Sequence, residues 1–306
     1  MFRLIPLLNT DHGHEKMRFG FHISIAGGFS KVTERARKRG CETIQLFSRN
    51  PRGWAYTPLD KQEVNRFREE FSRAAIFPLF VHMPYLANMA TNDRDLYAKS
   101  LDALQADLRR ASSLGADYLI VHVGHRVRLS EDVAINRITG GINEAFQRIR
   151  NSVILLLENT AGQGTEVGHT FFQIRKIIRG VDEKERMGVC LDTAHAFAAG
   201  YDLSTLKGLE KTLEEFQEEI GLENLHLVHL NDTRSPLGSH VDRHWHIGEG
   251  NIGLEGFGNI INHPLMVHLP GIMETPRKDD VEDLRNMEVI RGLARNHGKP
   301  DKPAFL

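Results

Sequence analysis

Cysteine is nearly absent from this chain. Cys41 and Cys190 are the only two among 306 residues, which excludes a disulfide framework and suits a reducing compartment. Net charge is just as scarce: 39 Lys and Arg stand against 40 Asp and Glu, a formal balance of −1. Bulk basicity is therefore excluded as a means of holding nucleic acid, and any such surface must be locally basic. No apolar run approaches the roughly 18 residues that cross a bilayer. The Leu4–Leu8 run is too short for a signal core, and no small-residue cleavage site follows it. Low-complexity segments, domain linkers and short-period repeats are lacking, as are the HExxH, CxxC and serine-elbow motifs.

What the chain has is histidine, 16 residues of it, and much of it closes apolar runs. His82, His122, Glu158, Asp192, His229 and Glu274 fall in VHMP, VHVG, LLLENT, CLDTAH, VHLND and IMETP. Those positions differ by 40, 36, 34, 37 and 45 residues, each the length of a strand plus a helix. Runs rich in β-branched and aromatic residues predict strands over 19–25, 43–48, 79–83, 118–123, 153–158, 188–192, 226–230 and 271–274. Amphipathic spacing predicts helices over 30–39, 61–74, 93–114, 130–150, 170–179, 205–220, 254–261 and 280–296. Gly40 and Gly115 read as stops, Ser130 and Asp280 as starts. Strands alternating with helices require a parallel sheet covered on both faces. Eight such units predict an α/β fold, a single (β/α)8 TIM barrel; an open doubly wound sheet is the alternative. The 306 residues suit a barrel of about 250 with added loops. Residues 17–306 are expected to form the barrel domain. Residues 1–16 read as a disordered or non-native extension, in which His12, His14 and Glu15 carry no site.

Strand ends converge at the C-terminal rim of such a barrel, and imidazole and carboxylate suit zinc, manganese or iron. One histidine at a strand end is ordinarily a hydrogen-bonded structural residue. Six successive strand ends carrying His, Asp or Glu point instead to a metal site. His195, Asp242 and His244 lie just beyond strand ends, with AspXXHis (192 to 195) and AspXHis (242 to 244) spacings that can place side chains on one ion. Nine ligands are too many for a single ion. Glu158, with two oxygens, is placed to bridge two. Cations about 3.5–4 Å apart suit phosphodiester cleavage, because they activate water, hold the phosphate and neutralise the leaving oxygen.

The blocks LLLENTAGQGT (155–165), GVCLDTAHAFAAGYD (188–202) and HLNDTRSPLGSHVDRHWHIGEGNIG (229–253) resemble the signature blocks of the endonuclease IV family, zinc-dependent apurinic/apyrimidinic DNA endonucleases with a TIM barrel. The resemblance runs from about Met17 to the last helix. It implies that His82, His122 and Glu158 hold a first ion, that Glu158, Asp192, His229 and Glu274 hold a second, and that His195, Asp242 and His244 hold a third. It implies three Zn2+, with one site open to Mn2+ or Fe2+. The implied reaction is hydrolysis 5′ to an abasic site in double-stranded DNA, leaving a 3′-hydroxyl and a 5′-deoxyribose phosphate. Arg52, in LFSRNPRGW, and Tyr85, in HMPYL, match residues that enter the base stack. Arg49, Arg52, Arg234 and Arg243 are expected to supply a basic rim. No membrane and no obligate protein partner are expected, and a bacterial cytoplasm is the expected compartment.

Val123 stands where the family often has proline, and Ala194 where it often has cysteine; neither position is a ligand. GEGNIG (248–253) matches a dinucleotide fingerprint, but the polar VDRHWHI before it is no buried strand, so its glycines are read as letting a loop turn beside the metal site. Asn159 and Gln163 are read as orienting ligands or as turn residues, and Cys190 as a buried thiol. A sugar isomerase or epimerase on a related barrel is the competing function, and a non-catalytic abasic-DNA or metal-binding protein a third; the His195/Asp242/His244 group favours the nuclease.

Overall fold

The computed structural model of the chain describes residues 16–294. The expected extension over residues 1–16, Lys16 excepted, and everything after residue 294 lie outside the described residues. Eight parallel strands close into a barrel in sequential order: β1 (Arg18–His22), β2 (Thr43–Phe47), β3 (Leu79–His82), β4 (Tyr118–Val121), β5 (Ile154–Glu158), β6 (Met187–Asp192), β7 (Leu225–His229) and β8 (Pro270–Met273). The expected (β/α)8 barrel is what forms, and the open-sheet alternative is excluded because β1 pairs with β8 as well as with β2.

Around it lie α1 (Val32–Lys38), α2 (Lys61–Arg73), α3 (Arg94–Leu114), α4 (Glu131–Arg148), α5 (Phe171–Gly180), α6 (Thr193–Ala199), α7 (Leu206–Glu219), α8 (Gly253–Asn262) and α9 (Asp280–Leu293). Capping fixes their ends. Asp60 and Asp93 accept from Glu63 N and Leu96 N at the starts of α2 and α3, which satisfies otherwise orphaned amides. Gly115 ends α3 in the left-handed region (φ 78°), where glycine carries no Cβ penalty. Asp279 rather than Asp280 caps α9, accepting from Val281 N and Glu282 N. Helix α6 follows β6 with no intervening loop and was not expected from the sequence.

Both faces of the strands are buried, which is why they read as continuous apolar runs. Leu79, Val81, Leu119, Val121, Leu155, Leu157, Val189 and Leu191 belong to the large core packed beneath the helices. Phe80, Ile120, Leu156, Cys190, Leu227 and Ile272 form a separate buried layer. Strand side chains alternate with period two, and two positions beyond those six residues stand His82, His122, Glu158, Asp192, His229 and Glu274. The acids and histidines are thus the next layer along the inner face, at the C-terminal mouth of the barrel. Gln45 of β2 and His22 of β1 complete that ring.

Candidate metal centre

Glu158 is at the centre of the ring and fully buried. Its Oε2 lies 3.0 Å from His82 Nε2 and 3.1 Å from His122 Nε2. Its Oε1 lies 3.1 Å from His229 Nδ1 and 3.3 Å from His195 Nδ1. Three groups of candidate ligand atoms lie within 4.8 Å of one another: His82, His122 and Glu158; Glu158, Asp192, His229 and Glu274; and Asp192, His195 and His244. Asp242 Oδ1 joins the third, 3.3 Å from His195 Nε2 and 3.5 Å from His244 Nε2. All nine residues singled out in the sequence therefore converge, and Asp192 touches two of the groups. A fourth grouping substitutes Cys190 for other ligands. Burial pushes that thiol up to about 12, so it remains protonated and packs as expected.

The imidazoles are held so that their lone pairs converge. His82 Nδ1 donates to Met83 O (2.7 Å) and His195 Nδ1 to Asn159 O (2.9 Å); His244 Nδ1 lies against Glu274 O at 3.4 Å. His229 Nε2 donates to Gln45 Oε1 (2.7 Å), turning Nδ1 towards the carboxylates. Outward donation of this kind fixes the tautomer of a metal-ligating histidine. His195 Nε2 and His244 Nε2 face each other at 3.3 Å, so their lone pairs need a cation or a proton between them. The donor set fits metal ions.

Protons and metal ions compete for these atoms. Burial lowers the basicity of His122, His195 and His229, but their neighbours outweigh it: Glu158 raises His122, Asp192 with Asp242 and Glu158 raise His195 well above the ordinary value, and Cys190 with Glu158 and Glu274 does the same to His229. Burial opposes ionisation of Glu158 and Glu274, yet the imidazoles hold both below the usual carboxylate range. The raised imidazoles contribute stability present below 6.5, lost as pH climbs through their folded values. The depressed acids contribute stability present above 4.5, lost as pH falls through theirs. Chelator-stripped protein should therefore be most stable in the window between. Metal uptake at neutral pH should release protons and tighten by about tenfold per pH unit for each proton displaced. Proton release on zinc addition at constant pH checks this, and zinc affinity flat with pH would contradict it.

Neighbouring polar groups hold the acids. Asn231 Nδ2 donates to Asp192 Oδ2 (2.6 Å), and its Oδ1 accepts from Glu274 N (2.8 Å). Asn159 accepts from Asp192 N and donates to Asp192 O, while Gln163 Oε1 accepts from Asp242 N (3.1 Å); both hold the backbone of residues in the candidate ligand set. Asp192 also caps α6 by accepting from His195 N (2.8 Å), so one side chain positions the helix that presents His195. GEGNIG closes on a carboxylate: Gly248, Gly250, Ile252 and Gly253 N–H groups donate to buried Asp232. A Cβ at Gly250 would lie 2.4 Å from Asp232 Oδ1, so this loop requires glycine there.

The expected DNA contacts separate into two kinds. Tyr85 is 58% exposed, with its ring 5.2 Å from those of both His82 and His122. Arg52, Arg234 and Arg243 are exposed, and Arg234 stacks on Trp245 at 3.6 Å. Arg49 does not belong to this rim. It is buried, donating to Asp107 (3.1–3.3 Å) and Gly53 O (3.1 Å), because a guanidinium enclosed beneath the loop must be paired. Sequence reasoning also missed Gln45, Asn231 and Asp232. The one available signal for Gln45 was an amide among the apolar residues of the strand TIQLF.

A family model described as "Xylose isomerase-like TIM barrel" matches residues 33–293. The "Probable endonuclease 4" of Halothermothrix orenii is 46% identical over 280 residues, covering 92% of this chain and 100% of that one. The crystal structure of endonuclease IV from Thermus thermophilus superposes with a TM-score of 0.81 at 35% identity, covering 90% of this chain and 98% of that one. A D-tagatose 3-epimerase-like protein shares the fold, with a TM-score of 0.67 at 16% identity over 90% of this chain and 97% of that one.

Proposed function

The chain belongs to the endonuclease IV family, and from that premise we propose that it is a DNA-repair hydrolase that cuts the phosphodiester 5′ to an abasic site, leaving a 3′-hydroxyl and a 5′-deoxyribose phosphate. The observation that carries the reading is the set of three ligand groups joined through Glu158 and Asp192 at the barrel mouth. A single-ion sugar enzyme has no need of the third group. His82, His122 and Glu158 would hold one zinc ion; Glu158, Asp192, His229 and Glu274 a second; His195, Asp242 and His244 a third, with one site open to manganese or iron. When bound, such ions supply an activated water and neutralise charge at the phosphate.

The chain's own residues do the remaining work. Asn159 and Asn231 keep Asp192 turned inward. Tyr85, standing over His82 and His122, and Arg52, on the loop after β2, enter the base stack of a distorted duplex and expose the target nucleotide. Arg234 and Arg243 hold flanking phosphates, making binding salt-dependent.

Incubation with a duplex carrying one abasic-site analogue, with and without prior treatment by EDTA and 1,10-phenanthroline, tests the reading. Chelator-sensitive incision 5′ to the lesion is expected. No incision by zinc-loaded protein overturns it. Arg52→Ala should weaken binding to the abasic duplex roughly tenfold while leaving zinc content unchanged; an unaltered dissociation constant removes Arg52 from the DNA surface.

A further inference from the structure

We propose that Gln45 is a positioning residue that ties the tautomer of His229 to the charge of Glu274. The inference rests on reading Glu158, Asp192, His229 and Glu274 as ligands of one ion.

Gln45 is fully buried on β2 and lies between two of those ligands from different strands. Its Nε2 donates to Glu274 Oε1 (2.6 Å), and its Oε1 accepts from His229 Nε2 (2.7 Å). Nε2 also lies 2.9 Å from His22 Nδ1. An amide can be turned end for end, and the network decides which way it faces. An ionised carboxylate only accepts, so Glu274 requires the amide nitrogen on its side. That leaves the amide oxygen facing His229, whose Nε2 must then carry the proton. The lone pair that His229 can offer a metal ion is thereby the one on Nδ1, which points to Glu158 (3.1 Å), Glu274 (3.4 Å) and Asp192 (3.8 Å).

The alternative orientation fails at both ends. It sets an amide oxygen against a carboxylate oxygen and lets His229 protonate Nδ1, the atom aimed at the other ligands. A carboxylate at position 45 would accept from His229 but repel Glu274. A hydroxyl on a short side chain would not span both. Glutamine combines an uncharged acceptor and donor at this reach, which accounts for an amide in the strand TIQLF.

Gln45→Met and Gln45→Glu variants of the full-length zinc-loaded protein test the proposal. Methionine keeps the volume and removes both hydrogen bonds. Zinc stoichiometry and the rate of zinc loss to a chromophoric chelator are measured, along with the visible absorption of cobalt-substituted protein. Q45M should release one equivalent of zinc about 10–100-fold faster than the parent, with the remainder unchanged, and should alter the cobalt spectrum. A parental release rate with a parental spectrum would mean that Gln45 only fills space, overturning the proposal. If Q45M does not fold, Q45E decides through the cobalt spectrum: its carboxylate still accepts from His229 but opposes Glu274, so the spectrum should shift, and a parental spectrum overturns the proposal. Incision is assayed separately. A parent that binds zinc without cutting abasic DNA would sink the functional reading alone, whereas unaltered zinc release with an unaltered cobalt spectrum in the variants would sink this one alone.

Discussion

Replacing Glu158 by glutamine is expected to reduce incision of abasic DNA by about 10³-fold or more, with the near-ultraviolet circular dichroism of the folded barrel retained. The side chain is isosteric, so the layer of Phe80, Ile120, Leu156 and Leu227 below it is untouched. What changes is charge at the atom pair shared by two ligand groups. Glu158 faces His82 and His122 through one oxygen and His229 and His195 through the other. An amide offers one acceptor and one donor, and the donor cannot face an imidazole lone pair and a cation together. Zinc content should fall, while the group built on Asp192, His195, Asp242 and His244 keeps its ion. Metal analysis and a single-turnover incision assay check both halves. Turnover within tenfold of the parent would dissolve the idea of a shared bridging carboxylate.

The barrel was legible in the sequence because its strands are buried on both faces and its helices are amphipathic, so the two periods separate cleanly. The metal-ligand candidates were legible for a related reason. A polar residue two positions beyond a buried Ile, Leu or Phe stands out in a run such as LLLENT. Helix α6 was not legible, because Asp192 serves at once as the last residue of β6 and as the cap of the helix, leaving no loop to mark the boundary. Gln45 was overlooked because one amide in one strand carries no periodic signal; its meaning lies in His229 and Glu274, 184 and 229 residues away. Arg49 was misread for the same reason. In RNPRGW it looks like a second loop cation beside Arg52, and only the fold brings Asp107 of α3 beneath it.

That ion pair has the largest expected effect on stability. Asp107 is completely buried and Arg49 nearly so. Asp107 also accepts from Ser48 Oγ (2.6 Å), and Arg110, one turn further along α3, donates to Ser48 O and Thr57 O. Together these bonds fasten both ends of the loop that carries Arg52. Asp107→Ala leaves a buried guanidinium without a counter-charge, a loss of about 3–5 kcal/mol. For a barrel of this size, that lowers Tm by roughly 10 °C. Replacing both partners, Asp107→Leu with Arg49→Met, removes the uncompensated charge and should recover most of the stability, since apolar substitutes of similar size often match a buried pair. It cannot restore the tie from Arg49 to Gly53 O (3.1 Å). The double variant should therefore regain Tm and zinc content yet still bind abasic duplex more weakly than the parent. Parental affinity in the double variant would mean that the loop reaches DNA without its anchor. A single variant as stable as the parent would mean that Arg49 escapes to solvent when Asp107 is lost.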